Sequence, residues 1–309
     1  MANTGIQRVD LEQLLSASQL PAMPQSALRI LEISRDPDAG PAELAIPIEA
    51  DPGLTVQLLR FVNSSYFGFR NEISNVKQAI ALVGMRTVKN FALYSAVFSL
   101  IPNPRCGQFD LMKLWQDSLR RALFARKMAR ILGVTDVEEP FAAALLQDMA
   151  VPLLAKEVPD AYGKLFGARE QDTRMRLSLL ENHVFGWTHA QAAGLMARNW
   201  KLPEAFASLI EAHLDVDTLA ANAAQSSGKL AVALSALLPA TSDSGWAECP
   251  HFEQQYQAVC PATAPAIAEL LEQIDTEFAE FAPILRVTTP ECSLAGIYRE
   301  TAEPVAGGV

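Results

Sequence analysis

Pro52-Gly-Leu-Thr-Val-Gln-Leu-Leu-Arg-Phe-Val-Asn63 decides the fold class. A proline in the first turn of a helix gives up no needed donor. Behind it, Val56, Leu59, Phe61 and Val62 recur at helical rather than alternating spacing and are expected to be buried. Asn63-Ser64-Ser65-Tyr66-Phe67-Gly68 then supplies residues that end helices and make turns. Asn63 is expected to close the helix, Tyr66 and Phe67 to pack, and Gly68 to turn the chain.

The same period extends in both directions. Ala27, Ile30 and Leu31 share one face between Pro24 and Asp36, and a second helix fits Pro41 to Ala50. After Ser74, an expected N-cap, Val76, Ile80 and Val83 carry a helix to Gly84. A longer apolar helix is expected from Thr87 to Ile101. Ile101-Pro-Asn-Pro-Arg-Cys-Gly107 breaks the pattern, because two prolines and a glycine favour an extended connection. Beyond it, helices are expected at Asp110 to Leu132, Glu138 to Glu157, Asp172 to His183, Thr188 to Trp200, Pro203 to Leu214 and Lys229 to Leu238. Pro239 to Pro250 reads as a loop, followed by helices at His251 to Val259 and Ala264 to Phe281 and a tail with little reason to be ordered. The class is all-α. The expected organisation is a helical lobe over 1–105, a second over 106–240, and a helical extension with a flexible tail over 241–309.

Composition narrows the function classes. With Lys+Arg 25 against Asp+Glu 35, the formal charge of −10 argues against a chain that coats nucleic acid, which needs clustered cations. The most apolar run, Phe91 to Ile101, is about half of the ~20 residues a bilayer requires, so no membrane span is expected. The opening MANTGIQRVD lacks an apolar export core, which makes the cytoplasm the expected location. Cys106, Cys249, Cys260 and Cys292 form no C-x-x-C pair and read as reduced, mostly packing, thiols. Gly84-Met85-Arg86-Thr87 stands between two helices as in a helix-turn-helix, but the helix after it turns apolar at once, which favours core burial. Arg120, Arg121, Arg126, Lys127 and Arg130 crowd one helix and are read as a solvated basic face, with docking of an acidic partner or a nucleotide phosphate as the alternative.

The candidate chemistry lies further on. Asp148 sits within the apolar run Leu145-Leu146-Gln147-Asp148-Met149, where an unpaired carboxylate is costly. His189 opens one helix and His213 ends another. A carboxylate and two imidazoles are ordinary ligands for a divalent first-row metal. Capping, ion pairing and helix dipoles account for the same residues without one.

Several ordered motifs add a resemblance. Leu20-Pro21-Ala22-Met23-Pro24, Ile48-Glu49-Ala50-Asp51-Pro52, Leu58 to Gly68, Leu82-Val83-Gly84, Leu114-Trp115-Gln116-Asp117-Ser118, Ala144 to Asp148, Phe185-Gly186-Trp187-Thr188-His189 and Trp200-Lys201-Leu202-Pro203-Glu204 together resemble the HDOD family, the HD-related output domain of bacterial signalling proteins. The resemblance runs from about Leu20 to about Leu238. It implies descent from HD phosphohydrolases, which hold one or two metals through an early His, a His-Asp pair, later histidines and a final Asp. Here the early His position carries Asp117, the His of the pair is Gln147, and the final Asp position is Ser235; Leu214 follows His213 where a His-His-Glu run would stand. Neutral amide and hydroxyl groups are poor replacement ligands.

The resemblance therefore implies a non-catalytic signal-transduction module acting through protein contacts with signalling partners of unknown identity, with a homo-oligomer left open. No cofactor is expected, though a vestigial site for one divalent ion through Asp117, Asp148, His189 and His213 stays open. The alternative is a residual metal-dependent phosphohydrolase of a nucleotide or phosphomonoester.

Overall fold

The computed structural model describes residues 10–17, 20–33, 36, 38–64, 67–243, 245–283 and 285–302, and among them every regular element is helical. The packing expected of Tyr66, and the tail beyond 302, lie outside the described residues. No helix among the described residues is long and apolar enough to cross a membrane.

The N-terminal region comprises α1 (Leu11–Ala17), α2 (Gln25–Ile33), α3 (Pro41–Glu49), α4 (Pro52–Val62), α5 (Val76–Val83) and α6 (Met85–Leu100). Asp51 caps α4 by accepting from the Leu54 amide at 3.0 Å, and its other oxygen accepts from Ser26 of α2 at 2.9 Å. One carboxylate thus starts a helix and fixes its neighbour. The buried stripe of α4 is Leu54, Leu58, Phe61 and Val62. Val56, expected inside, is 50% exposed, and Leu59 is only half-buried, because a stripe centred on Leu58 places both toward the far side of a 3.6-residue helix. The N-cap of α5 is Asn75 rather than Ser74; its side chain accepts from the Gln78 amide at 2.8 Å.

Asn63 closes α4 and reaches further. Its amide nitrogen donates to Leu59 O at 2.9 Å and Ile73 O at 2.8 Å, while its oxygen accepts from the Ile73 amide at 2.7 Å. Both ends of the 64–72 loop are thereby joined through one side chain. Within it Phe67 packs edge-on against Phe61, ring centroids 5.0 Å apart, and Gly68 takes φ 60°, a left-handed conformation that glycine adopts at least cost.

Residues 101–110 connect to α7 (Leu111–Ile131), followed by α8 (Glu138–Leu146), α9 (Ala150–Glu157), α10 (Pro159–Gln171), α11 (Leu177–Phe185), α12 (His189–Asn199), α13 (Glu204–Glu211), a 3₁₀ turn (Ala212–Leu214), α14 (Val216–Ala220) and α15 (Ala223–Ser235). The helix expected over Glu138 to Glu157 is in fact two. Pro152 has no amide to return to the Asp148 carbonyl, and the chain tightens into i→i+3 bonds, Met149 N to Leu146 O and Val151 N to Asp148 O, both 3.0 Å. Asp148 sits in this break. The helix expected from Asp172 begins only at Leu177, because Asp172 accepts from the Arg174 amide and side chain in a local turn. The short α1 and α14, the equally short helix over Leu294–Ala302 and the largely polar α10 carried too little apolar periodicity to be read from sequence.

The C-terminal α16 (Cys249–Val259), α17 (Ile267–Phe281) and α18 (Leu294–Ala302) pack back onto the rest. Phe281 of α17 touches Phe61 of α4 and Phe141 of α8, centroids 5.9 and 6.0 Å apart. This packing overturns the solvated basic face for all of its residues but Arg130, which is exposed. Arg126 is fully buried, its guanidinium 4.8 Å from the Phe141 ring and 4.9 Å from the Phe281 ring, with Nη2 2.8 Å from Glu277 Oε2. Lys127 Nζ lies 2.7 Å from the other Glu277 oxygen, and Arg120, also buried, donates to Cys292 O. The partners come from a segment some 150 residues away in sequence, which is why α7 alone looked like a solvent face. All four cysteines are free thiols; Cys106 and Cys249 are buried, and Cys292 is exposed.

Candidate functional site

A cavity of about 370 Å³ opens between α7, the break after α8, the start of α12 and the 236–248 segment. That segment is pinned by Trp246 Nε1 donating to Leu237 O at 2.7 Å, by an Arg169–Asp243 ion pair, and by Arg176 and Glu248 3.7 Å apart.

Three side chains converge on the cavity floor. The α8–α9 break supplies Asp148, the first residue of α12 supplies His189, and the 3₁₀ turn supplies His213, all buried. His189 is delivered by Gly186, whose left-handed φ of 82° ends α11 and turns the chain into the Thr188 N-cap. Asp148 Oδ1 lies 3.3 Å from His189 Nε2 and 3.7 Å from His213 Nε2, and the two Nε2 atoms are 3.2 Å apart. A circle through these three atoms has a radius of about 2.0 Å, the length of a bond from a first-row metal to nitrogen or oxygen.

Each donor is oriented from behind. Glu181, fully buried on α11, accepts from the His189 backbone amide at 2.8 Å and contacts His189 Nδ1 at 2.6 Å; its other oxygen accepts from Tyr162 OH at 2.7 Å. His213 Nδ1 donates to Ile210 O at 2.7 Å, which fixes the tautomer and leaves Nε2 with a lone pair. The second oxygen of Asp148 accepts from Arg121 Nη1. Such outer contacts fix ring orientation at metal sites.

Charge is arranged to match. Burial alone would raise the Asp148 pKa, but the Arg121 guanidinium and the two imidazoles hold this carboxyl well below the usual range. Burial would lower His189; the Glu181 and Asp148 carboxylates reverse that and raise it to about 10. His213 is pushed down to about 3, chiefly by burial and with help from the charge on His189, against the pull of Asp148. At neutral pH the ion-free floor is therefore an aspartate, an imidazolium and a neutral imidazole.

Asp117 lines the same cavity but stands apart from the converging set. Its Oδ1 accepts from both the amide and the hydroxyl of Thr241, and burial raises its pKa despite Arg121. Gln147 and Ser235, at the positions where the resemblance places a ligand His and Asp, bring neither imidazole nor carboxylate; Ser235 Oγ donates to Val232 O at 2.6 Å and lies 3.3 Å from Gln147 Oε1. Among the described residues the donor set thus fits one ion and offers no second cluster. Sequence reasoning missed Glu181 and Arg121. Nothing in spacing marks Glu181, but Arg121 stands one helical turn after Asp117, a signal that it faces the same side.

The HDOD domain family model matches residues 20–216. An uncharacterized protein of Treponema pallidum (strain Nichols) is 24% identical over 201 residues, covering 64% of this chain but only 38% of that longer protein. A Shewanella amazonensis SB2B structure, provisionally named a phosphohydrolase, superposes with a TM-score of 0.68 at 20% identity, covering 91% of this chain and 99% of that one. A Marinobacter aquaeolei VT8 structure, provisionally named a signal transduction protein, gives 0.63 at 20% identity, covering 94% of this chain and 61% of that one. At such identities the two structures share the fold.

Proposed function

The chain belongs to the HDOD family, and from that premise we propose that it is a signal-transduction module that works through protein contacts rather than by hydrolysis. One observation carries the reading: an amide and a hydroxyl, Gln147 and Ser235, stand where the resemblance places a ligand His and Asp. Both are neutral at working pH and both are fully buried, so among the described residues the cavity has no ligand set for a second ion that would clamp a phosphoryl group from the other side. Asp117, held by Thr241, does not replace them.

A second reading rests on the roughly 2.0 Å circle of Asp148, His189 and His213: a residual single-metal phosphohydrolase. An ion held there would acidify a bound water and polarise a phosphoryl oxygen. The protein's own part would be orientation, with Glu181 fixing His189, Ile210 O fixing His213 and Arg121 fixing Asp148.

Turnover separates the two. Protein purified without chelator and offered Mn2+, Mg2+, Fe2+ or Co2+ is expected to release no phosphate from nucleotides or phosphomonoesters above the level of an Asp148→Ala variant. Metal-dependent release that disappears in Asp148→Ala would establish the hydrolase and end the contact-only reading.

A further inference from the structure

Arg121 holds an unusual place beside the three converging donors. It projects from α7 and gives Nη1 to Asp148 Oδ2, the oxygen that the imidazoles do not face. Its side chain is 14% exposed and that of Asp148 8%, so the pair is shielded from water. A guanidinium cannot shed its proton in a protein, unlike a lysine or histidine. Asp148 is the single anion among the three donors, and its charge is already balanced before any ion arrives. A divalent cation seated against Oδ1 would face a permanent positive charge across the same carboxylate, in surroundings where Coulomb interactions are weakly screened. Gln147 and Ser235 add no compensating anion. Asp117, on the same wall, is also drawn toward Arg121.

We propose that Arg121 is the residue that sets this site's affinity for divalent metal: it stands in for part of an ion's charge and keeps well-placed ligands from holding one tightly. The donors supply the geometry and Arg121 supplies the discrimination. The inference deepens the reading of a site without hydrolytic function. Its readout is metal affinity and not turnover, so the two fail separately.

The test is calorimetric titration of the chelator-treated, dialysed full chain with Zn2+ alone and Mn2+ alone, with metal content measured after gel filtration. Arg121→Met, which keeps length and removes charge, is expected to take up one equivalent with a Kd at least tenfold below that of the unmodified chain. Arg121→Lys, which keeps the charge, is expected to stay as weak as the unmodified chain. Adding Asp148→Asn to Arg121→Met is expected to erase the gain. A purely structural Arg121 could only lose function on removal, so a gain in affinity is not open to that explanation. Equal or weaker binding by a folded Arg121→Met, or a gain that survives Asp148→Asn, overturns the proposal. Should Arg121→Met not fold by circular dichroism, the unmodified chain still decides: one ion retained through dialysis and gel filtration overturns the proposal, and release of the ion upholds it.

Discussion

Arg126→Ala is expected to lower the unfolding free energy in chemical denaturation by about 3–5 kcal/mol, the range for breaking a buried charged contact and leaving a cavity behind. Two costs combine. The substitution empties the slot between the Phe141 and Phe281 rings, and it strips Glu277 of its buried partner, leaving only Lys127. Arg126→Met separates them. A methionine refills the slot without the charge and is expected to recover more than half of the loss, because the long aliphatic stem does much of the packing. If Arg126→Met were as damaging as Arg126→Ala, the ion pair with Glu277 would be the dominant contribution and the aromatic slot a minor one.

The second large effect is a stability maximum near pH 6–7 in the chelator-treated protein. His189 is raised from its usual 6.5 to about 10, so the folded chain keeps a proton that the unfolded chain releases. Its contribution is complete below pH 6.5 and is lost as pH climbs toward 10. His213, pushed down to about 3, works in the opposite sense. Below pH 6.5 the unfolded chain takes up a proton that the folded chain refuses, and stability falls as pH drops toward 3. Each limb slopes by up to roughly 1.4 kcal/mol per pH unit, so roughly 2–3 kcal/mol should be gone two units to either side. Asp148 adds to the acid limb from about pH 5 downward, as the unfolded carboxyl takes up its proton around its usual 3.8. Glu181→Gln removes the strongest charge that keeps His189 protonated and is expected to shrink the alkaline limb while leaving the acid limb in place. A profile flat from pH 5 to 9 would falsify the assignment of protons to the two rings.

These effects mark where the sequence could be read and where it could not. Asp148 stood out in the chain because a carboxylate interrupts an apolar run, and His189 and His213 because metal-competent side chains stand at helix ends; these anomalies are local. The all-helical class was legible for the same reason, since period and helix breakers act within a turn or two. Arg126 was misread because its meaning depends on Phe281 and Glu277, which reach it only after α17 folds back. Glu181 was invisible for a related cause: an acidic residue on a short helix is ordinary until Tyr162 and His189 close around it. The break between α8 and α9 had a local sign in Pro152, but a proline in a first turn and a proline in an interior look alike until the helix start is known.

Asn63 leaves a consequence of a different kind. By bonding both the amide and the carbonyl of Ile73, it staples the mouth of the 64–72 loop shut independently of what lies inside. The path from α4 to α5 therefore does not depend on the length of the excursion between them. The stapled ends are expected to hold the scaffold in register when a reporter peptide is spliced between them.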